Sequence, residues 1–307
     1  MRHSLRLCFR TATSLSEGGK AATPLNHINY NLLLQCGNYN PFIHKKSMAG
    51  DTVNRKEDYI GVFDSGVGGV SVLRQLKKLM PREKFYYFGD SANAPYGSRS
   101  TEEIRQLTLS AVEKMGQTPL KALVVACNTA TAAAIEVLRE QYPQLIVVGI
   151  EPALKPAADQ FPGGRIGVMA TEATLREEKF SRLLSRYAQT HTVCKIPATG
   201  LVELIEEGKA DSREAEELLR TLLAPYAGQL DALVLGCTHY PFASAAIRRC
   251  LGPRVVLLDG GEGTARETMR RLGEADLLRD GVGEVLWHNS AKEEKLLELS
   301  QKLLNQP

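Results

Sequence analysis

An α/β protein of two similar lobes, each a mostly parallel sheet flanked by helices, is the fold class this 307-residue sequence predicts. Three observations predict it. ALVVACNT (122–129) and ALVLGCTH (232–239) echo each other 110 residues apart. Each is an apolar, β-branched run ended by small polar residues, as a buried parallel strand reads at its C-terminal end. Strand and helix patterns alternate around both, the signature of a parallel sheet. The spacing also repeats: Ile60 to Cys127 spans 67 residues and Ile166 to Cys237 spans 71, with IGV opening both units. That reads as a degenerate internal duplication.

Residues 1–57 stand apart. MRHSLRLCFRTATSLSEGG carries positive charge and hydroxyls without a continuous apolar run, so it fails as a secretory signal. The segment is expected to be a disordered extension, with MAGDTVNRKEDYIGVF from Met48 leading naturally into the first strand. YIGVF (59–63) is that strand, DSGVGG a tight loop, and VSVLRQLKKLM an amphipathic helix stopped by Pro81. KFYYF (84–88) is a strand entering the long loop GDSANAPYGSRS. Thr101 N-caps the next helix, whose first-turn acids suit the helix dipole. The strand 121–127, a helix to about Gln141 and the strand LIVVGI (145–150) complete the first unit. The second begins near Glu151, with the strand RIGVMA (165–170), the polar loop TEAT and a charged helix over about 172–187. LVELIEEG (201–208) and SREAEELLRTLLAPY (212–226) are two more helices. The strand 232–237, a helix around 243–251 and the strand RVVLLD (254–259) follow. The tail ends in the helix AKEEKLLELSQKLL, expected to pack back on the first unit.

Composition bounds the function. Apolar residues at 43% and charged residues at 24% are those of a globular protein with length for two cores. A net charge of +3 from scattered basic residues argues against a nucleic-acid partner. No segment approaches the roughly 18 apolar residues of a membrane span. The six cysteines are widely spaced and form no CxxC, which argues against a metal cluster or disulfide framework and for a reducing cytoplasm.

Cys8, Cys36, Cys194 and Cys250 read as small hydrophobes. Cys127 and Cys237 differ: each ends a strand beside a helix N-terminus, where free N–H groups favour a thiolate. Two halves each offering one thiol suit a reaction needing a thiol on either side of one substrate. Asp64 ends the neighbouring strand, as a helix cap, a loop hydrogen-bond acceptor or the hydrogen-bonding partner that sets the protonation of Cys127. His239, two residues past Cys237, is placed to exchange a proton with it. Glu206, on a charged helix, reads from the sequence alone as a solvated residue. The loop Ser65–Gly69 falls short of GxGxxG and lacks the lysine of a P-loop; its small residues allow close backbone approach to a small anion. Ser65, Asn128, Thr129, Thr171, Thr174 and Thr238 lie in strand-end loops and suit the carboxylates and amine of an amino acid, or serve as helix caps.

FDSGVGG, the PYG of NAPYGSRS, VVACNTA and LGCTHYP, in this order, resemble the cofactor-independent aspartate/glutamate racemase family over about residues 59–265. The resemblance implies two pseudo-twofold-related α/β domains with the active site in the cleft between them. The first would comprise 58–150 plus 259–307 and the second 151–258. It implies interconversion of L- and D-glutamate with no cofactor and no metal, supplying D-glutamate for peptidoglycan, in a cytoplasmic homodimer. By the family pattern Cys127 and Cys237 are the acid/bases, with Cys237 deprotonating L-glutamate and Cys127 the D form. Asp64 assists Cys127, and His239 assists Cys237. The family's glutamate falls on Glu206, with Glu207 beside it an alternative. Asp64-Ser65, Tyr96-Gly97, Asn128-Thr129, Thr171, Thr174 and Thr238-His239 would hold the substrate. Ala198-Thr199 depart from the Cys-Pro that relatives often carry there. Aspartate or another amino acid as substrate, a hydrolase or decarboxylase using one thiol, and a non-catalytic binding protein on the same fold are the alternatives.

Overall fold

A computed structural model of the chain describes residues 55–306. Met48, Cys8, Cys36 and nearly all of the expected extension lie outside the described residues.

Two parallel sheets organise the chain. The first has the order β4-β3-β1-β2-β9, from β1 (Tyr59–Asp64), β2 (Lys84–Gly89), β3 (Leu120–Val125), β4 (Ile146–Gly149) and β9 (Glu284–Asn289). The second has the order β6-β5-β7-β8, from β5 (Arg165–Ala170), β6 (Thr192–Pro197), β7 (Ala232–Leu235) and β8 (Val256–Asp259). Read from the other edge, β8-β7-β5-β6 repeats β4-β3-β1-β2. The register repeats too: Ile60, Gly61 and Val62 pair with Ala122, Leu123 and Val124, as Ile166, Gly167 and Val168 pair with Ala232, Leu233 and Val234. The duplication read from spacing is thus present in the strand order, with β9 added to the first copy.

Helices cover both faces of each sheet, and β1, β3, β5 and β7 are buried along nearly their whole length. Against the first sheet pack α1 (Val70–Leu79), α2 (Thr101–Met115), α3 (Asn128–Gln141), α10 (Gly261–Glu274) and α11 (Glu294–Leu304). Leu296 and Leu303 place the last helix in the core that also holds Val72, Leu73 and Leu76 of α1. Against the second sheet pack α4 (Leu154–Gln160), α6 (Glu178–Ser185), α7 (Leu201–Glu206), α8 (Arg213–Leu223) and α9 (Ser244–Leu251).

Several details differ from the sequence expectation. The cap of α2 is Ser100, not Thr101: its hydroxyl accepts from Glu103 N–H while the Glu103 carboxylate accepts from Ser100 N–H, a reciprocal capping box. The helix expected over 172–187 is two, α5 (Glu172–Arg176) and α6, broken at an extended Glu177 whose carboxylate accepts from the Thr101 hydroxyl. β6, β9, α4 and α10 had no counterpart in the sequence pattern. β6 and β9 are half-exposed sheet edges without a continuous apolar run, α4 carries a proline in its first turn, and α10 is interrupted by glycines and arginines.

Candidate active site

Both echo cysteines lie two residues beyond their strands, at the C-terminal edges of the sheets, where open α/β folds bind ligands. They line one cavity of ≈ 70 Å³. Ser65, Tyr96, Gly97, Asn128 and Thr129 join Cys127 from the first sheet; Thr171, Thr238 and His239 join Cys237 from the second.

Cys127 is the N-cap of α3. Its sulfur accepts from Ala130 N–H at 3.4 Å and lies 3.4 Å from the Ser65 hydroxyl. Burial first, and then the charge of Asp64, push its thiol up to about 12, so it is protonated near neutrality. Asp64 does not touch that sulfur by a hydrogen bond. Fully buried behind the cavity wall, its carboxylate accepts from Gly66 N–H at 2.9 Å and from the Thr238 hydroxyl at 2.9 Å. Its influence on Cys127 is through its field.

Cys237 is different. Its sulfur lies 3.7 Å from His239 Nδ1, and His239 Nε2 lies 2.6 Å from Glu206 Oε1, which also accepts from Val67 N–H at 2.7 Å. An ionised carboxylate only accepts, so Nε2 carries a proton and Nδ1 faces the sulfur. Burial alone would push His239 down, but Cys237 and Glu206 together carry it well above the ordinary imidazole range. The Cys237 sulfur therefore faces an imidazole whose protonated form is favoured by Cys237 and Glu206 together.

Glu206 reaches this place through the glycine loop. A Cβ on Gly66 would lie 1.9 Å from Glu206 Oε1, and one on Gly68 would lie 2.3 Å from His239 Nδ1. The small residues that resembled an anion-binding turn make room for protein side chains. Glu207, the alternative to Glu206, is exposed and paired with Lys209 at 2.7 Å.

The remaining candidates divide. Among the described residues neither Oδ1 nor Nδ2 of Asn128 has a hydrogen-bond partner, although its side chain is buried against the cavity. Buried amides are normally satisfied, so a ligand with a donor and an acceptor fits here. Thr129, Thr171 and Thr174 hold one another at 3.0–3.1 Å in a triangle of hydroxyls. Thr129 and Thr171 face the cavity, whereas Thr174 lies behind them on a separate groove. Tyr96 lines the cavity with its ring while its hydroxyl donates to Asp90 at 2.7 Å. Glu172, Val202 and Glu203 also line it and carried no sequence signal beyond their place on helices.

A family model described as Asp/Glu/Hydantoin racemase matches residues 60–268. A glutamate racemase of Clostridium acetobutylicum is 47% identical over 253 residues, 81% of this chain and 98% of the relative. The crystal structure of a glutamate racemase isoform from Bacillus anthracis matches with a TM-score of 0.74 at 31% identity, over 82% of this chain and 95% of that one. The structure of the Francisella tularensis glutamate racemase in complex with D-glutamate matches with a TM-score of 0.73 at 27% identity, over 82% and 95%.

Proposed function

The chain belongs to the Asp/Glu/hydantoin racemase family, and on that premise we propose that it interconverts L- and D-glutamate, an isomerase reaction, by proton transfer at Cα between Cys237 and Cys127. The observation that carries this reading is the unequal state of two thiols on one cavity: Cys127 is held protonated by burial and Asp64, while Cys237 faces an imidazole tied to a carboxylate.

Racemisation removes a proton from one face of Cα and returns one to the other, so a substrate held still needs an acid and a base on opposite sides. With the Cys237 proton lodged on His239, the Cys237 thiolate takes the Cα proton of L-glutamate and becomes a thiol. The electron pair left on Cα spreads into the α-carboxylate, where the Asn128 amide and the Thr129 hydroxyl are suited to hold the growing oxyanion, the Thr238 hydroxyl donating its hydrogen bond to Asp64 instead. Cys127 then gives its proton to the opposite face and is left as a thiolate. The D form is released, and the protein stands ready for the reverse reaction until solvent resets the two protons. Proton transfer and oxyanion stabilisation by these groups are sufficient, so the reading calls for no cofactor. Ser65, Tyr96-Gly97 and Thr171 complete the substrate contacts, with Asp64, Glu206 and Thr174 acting from behind the wall.

In the same reading 58–150 plus 259–307 and 151–258 are the two domains, the enzyme is a cytoplasmic homodimer, and its product feeds peptidoglycan. The widely spaced cysteines support the compartment, and among the described residues no helix is long and apolar enough to cross a membrane.

Circular dichroism of L-glutamate with purified protein and no added cofactor tests the activity: the signal should decay to zero, and Cys127→Ala and Cys237→Ala should each abolish the decay. Exchange of Cα hydrogen in heavy water tests the substrate. Exchange with aspartate and not glutamate would reassign it, and full activity in Cys237→Ala would end the two-thiol scheme.

A further inference from the structure

We propose that Ser91 and Asn289 are positioning residues for this reaction, joined to Glu206 by a hydrogen-bonded string that ties the last strand of the chain to the Cys237 side of the site. The inference rests on the reading of Glu206, His239 and Cys237 given above.

The string has a fixed polarity. Ala291 N–H donates to Asn289 Oδ1 at 3.0 Å, which orients the buried amide and leaves Nδ2 as its donor end. Nδ2 donates to the Ser91 hydroxyl oxygen at 2.9 Å. With an oxygen lone pair so engaged, Ser91 turns its own proton toward Glu206 Oε2 at 3.4 Å, the longest link. Glu206 Oε1 is already held by Val67 N–H and His239. Both carboxylate oxygens are therefore fixed by donors, and the rotation that would carry Oε1 away from His239 is opposed from Ser91. The strand end is itself clamped to the loop bearing Ser91: Ser290 N–H donates to Gly89 O at 2.9 Å, and Ala92 N–H to the Ser290 hydroxyl at 3.0 Å. None of this is visible from the cavity, whose lining includes neither Ser91 nor Asn289.

Asn289→Asp discriminates polarity from bulk. The carboxylate keeps the shape and still accepts from Ala291 N–H, but it demands the Ser91 proton for itself and withdraws it from Glu206. Ser91→Ala removes the same donor without adding charge, and Ser91→Thr restores it. Asn289→Asp and Ser91→Ala should each lower kcat about fivefold to tenfold, the loss of one modest hydrogen bond, with KM little changed and Ser91→Thr near the native rate. Deuterium at Cα supplies a readout that a merely structural role would not move. As transfer at Cys237 slows, the isotope effect on consumption of L-glutamate should rise and that on D-glutamate should fall toward one, because only the L form gives its label to Cys237.

A low-field proton resonance of His239 Nε2–H, assigned by its loss in His239→Asn, reports the Glu206 contact without any turnover. It should move in Asn289→Asp and Ser91→Ala and return in Ser91→Thr. An unmoved resonance, or unchanged isotope effects in Ser91→Ala, overturns the inference. A resonance that moves in a native protein unable to racemise glutamate upholds the string and overturns the proposed function instead.

Discussion

Gly66 is where one absent methyl group decides what a distant carboxylate can do. A Cβ there would strike Glu206 Oε1, the atom bonded to His239. Gly66→Ala should leave folding nearly intact, because a flexible side chain gives way first. It should lower kcat about tenfold to a hundredfold by displacing a charged hydrogen-bond partner. Steady-state kinetics beside a thermal melt checks this; loss of stability with native kcat would contradict it. The sequence made both cysteines and His239 legible, since strand ends mark their own chemistry. It did not make Glu206 legible from its surroundings, because what draws that acid inward is a glycine loop far away in the chain. Cys127 carries a second expectation. Its pKa is raised in the folded protein from an ordinary 9.0 to about 12, by burial and then by Asp64. The stability this confers is complete below the unfolded value and disappears as pH climbs through the folded one, a change of about 4 kcal/mol. Denaturant midpoints from about pH 9 to about pH 12 should therefore fall more steeply for the native chain than for Cys127→Ala. Parallel curves would show that the thiol is not held protonated by the fold.

Among the elements, β3 hides a feature its apolar sequence does not announce. Lys121, near its start, is buried, and its ammonium lies 2.6 Å from the equally buried Glu83 between α1 and β2. The same ammonium donates to the carbonyls of Lys56 and Leu277, and Glu83 accepts from Arg279 N–H. The pair thus pins the lead into β1 and the link between α10 and β9 under the N-terminal edge of the first sheet. Glu83→Ala strands a buried cation and should cost about 3–5 kcal/mol in chemical denaturation. A joint Glu83→Leu and Lys121→Met replacement should recover most of that, since an apolar pair of similar volume needs no desolvation. Equal destabilisation in the single and joint replacements would reject the account. The elements that the pattern revealed are those buried on both faces, β1, β3, β5 and β7, because burial forces a continuous apolar run. β6 and β9 escaped for the opposite reason: an edge strand with one wet side can carry lysine, proline or histidine. The break between α5 and α6 was hidden because it answers to Thr101, in another element.

At the scale of the molecule, duplication explains both the legibility and the closure of the site. Equal strand order and register put two strand-end cysteines at equivalent places, so the repeated spacing carried the architecture in one dimension. What the repeat could not carry is the set of contacts that joins the halves. One seam is buried or nearly so: the Thr238 hydroxyl to Asp64, the Ser71 hydroxyl to the Thr238 carbonyl, and Val67 N–H to Glu206. The other holds the threonine triangle and an exposed bond from Thr101 to Glu177 at 2.6 Å. The two strand-end cysteines line a cavity of only ≈ 70 Å³. We expect substrate to part the halves at this second seam, where the Thr101–Glu177 bond is exposed and water can replace it, although the threonine triangle beside it is buried. Thr101→Cys and Glu177→Cys, joined by a short cleavable linker, should halt turnover while leaving the fold intact, and cleavage should restore it. If the bridged protein turned over at the unbridged rate, access would have to lie through the first seam, at the expense of the contacts that hold Asp64 and Glu206 in place.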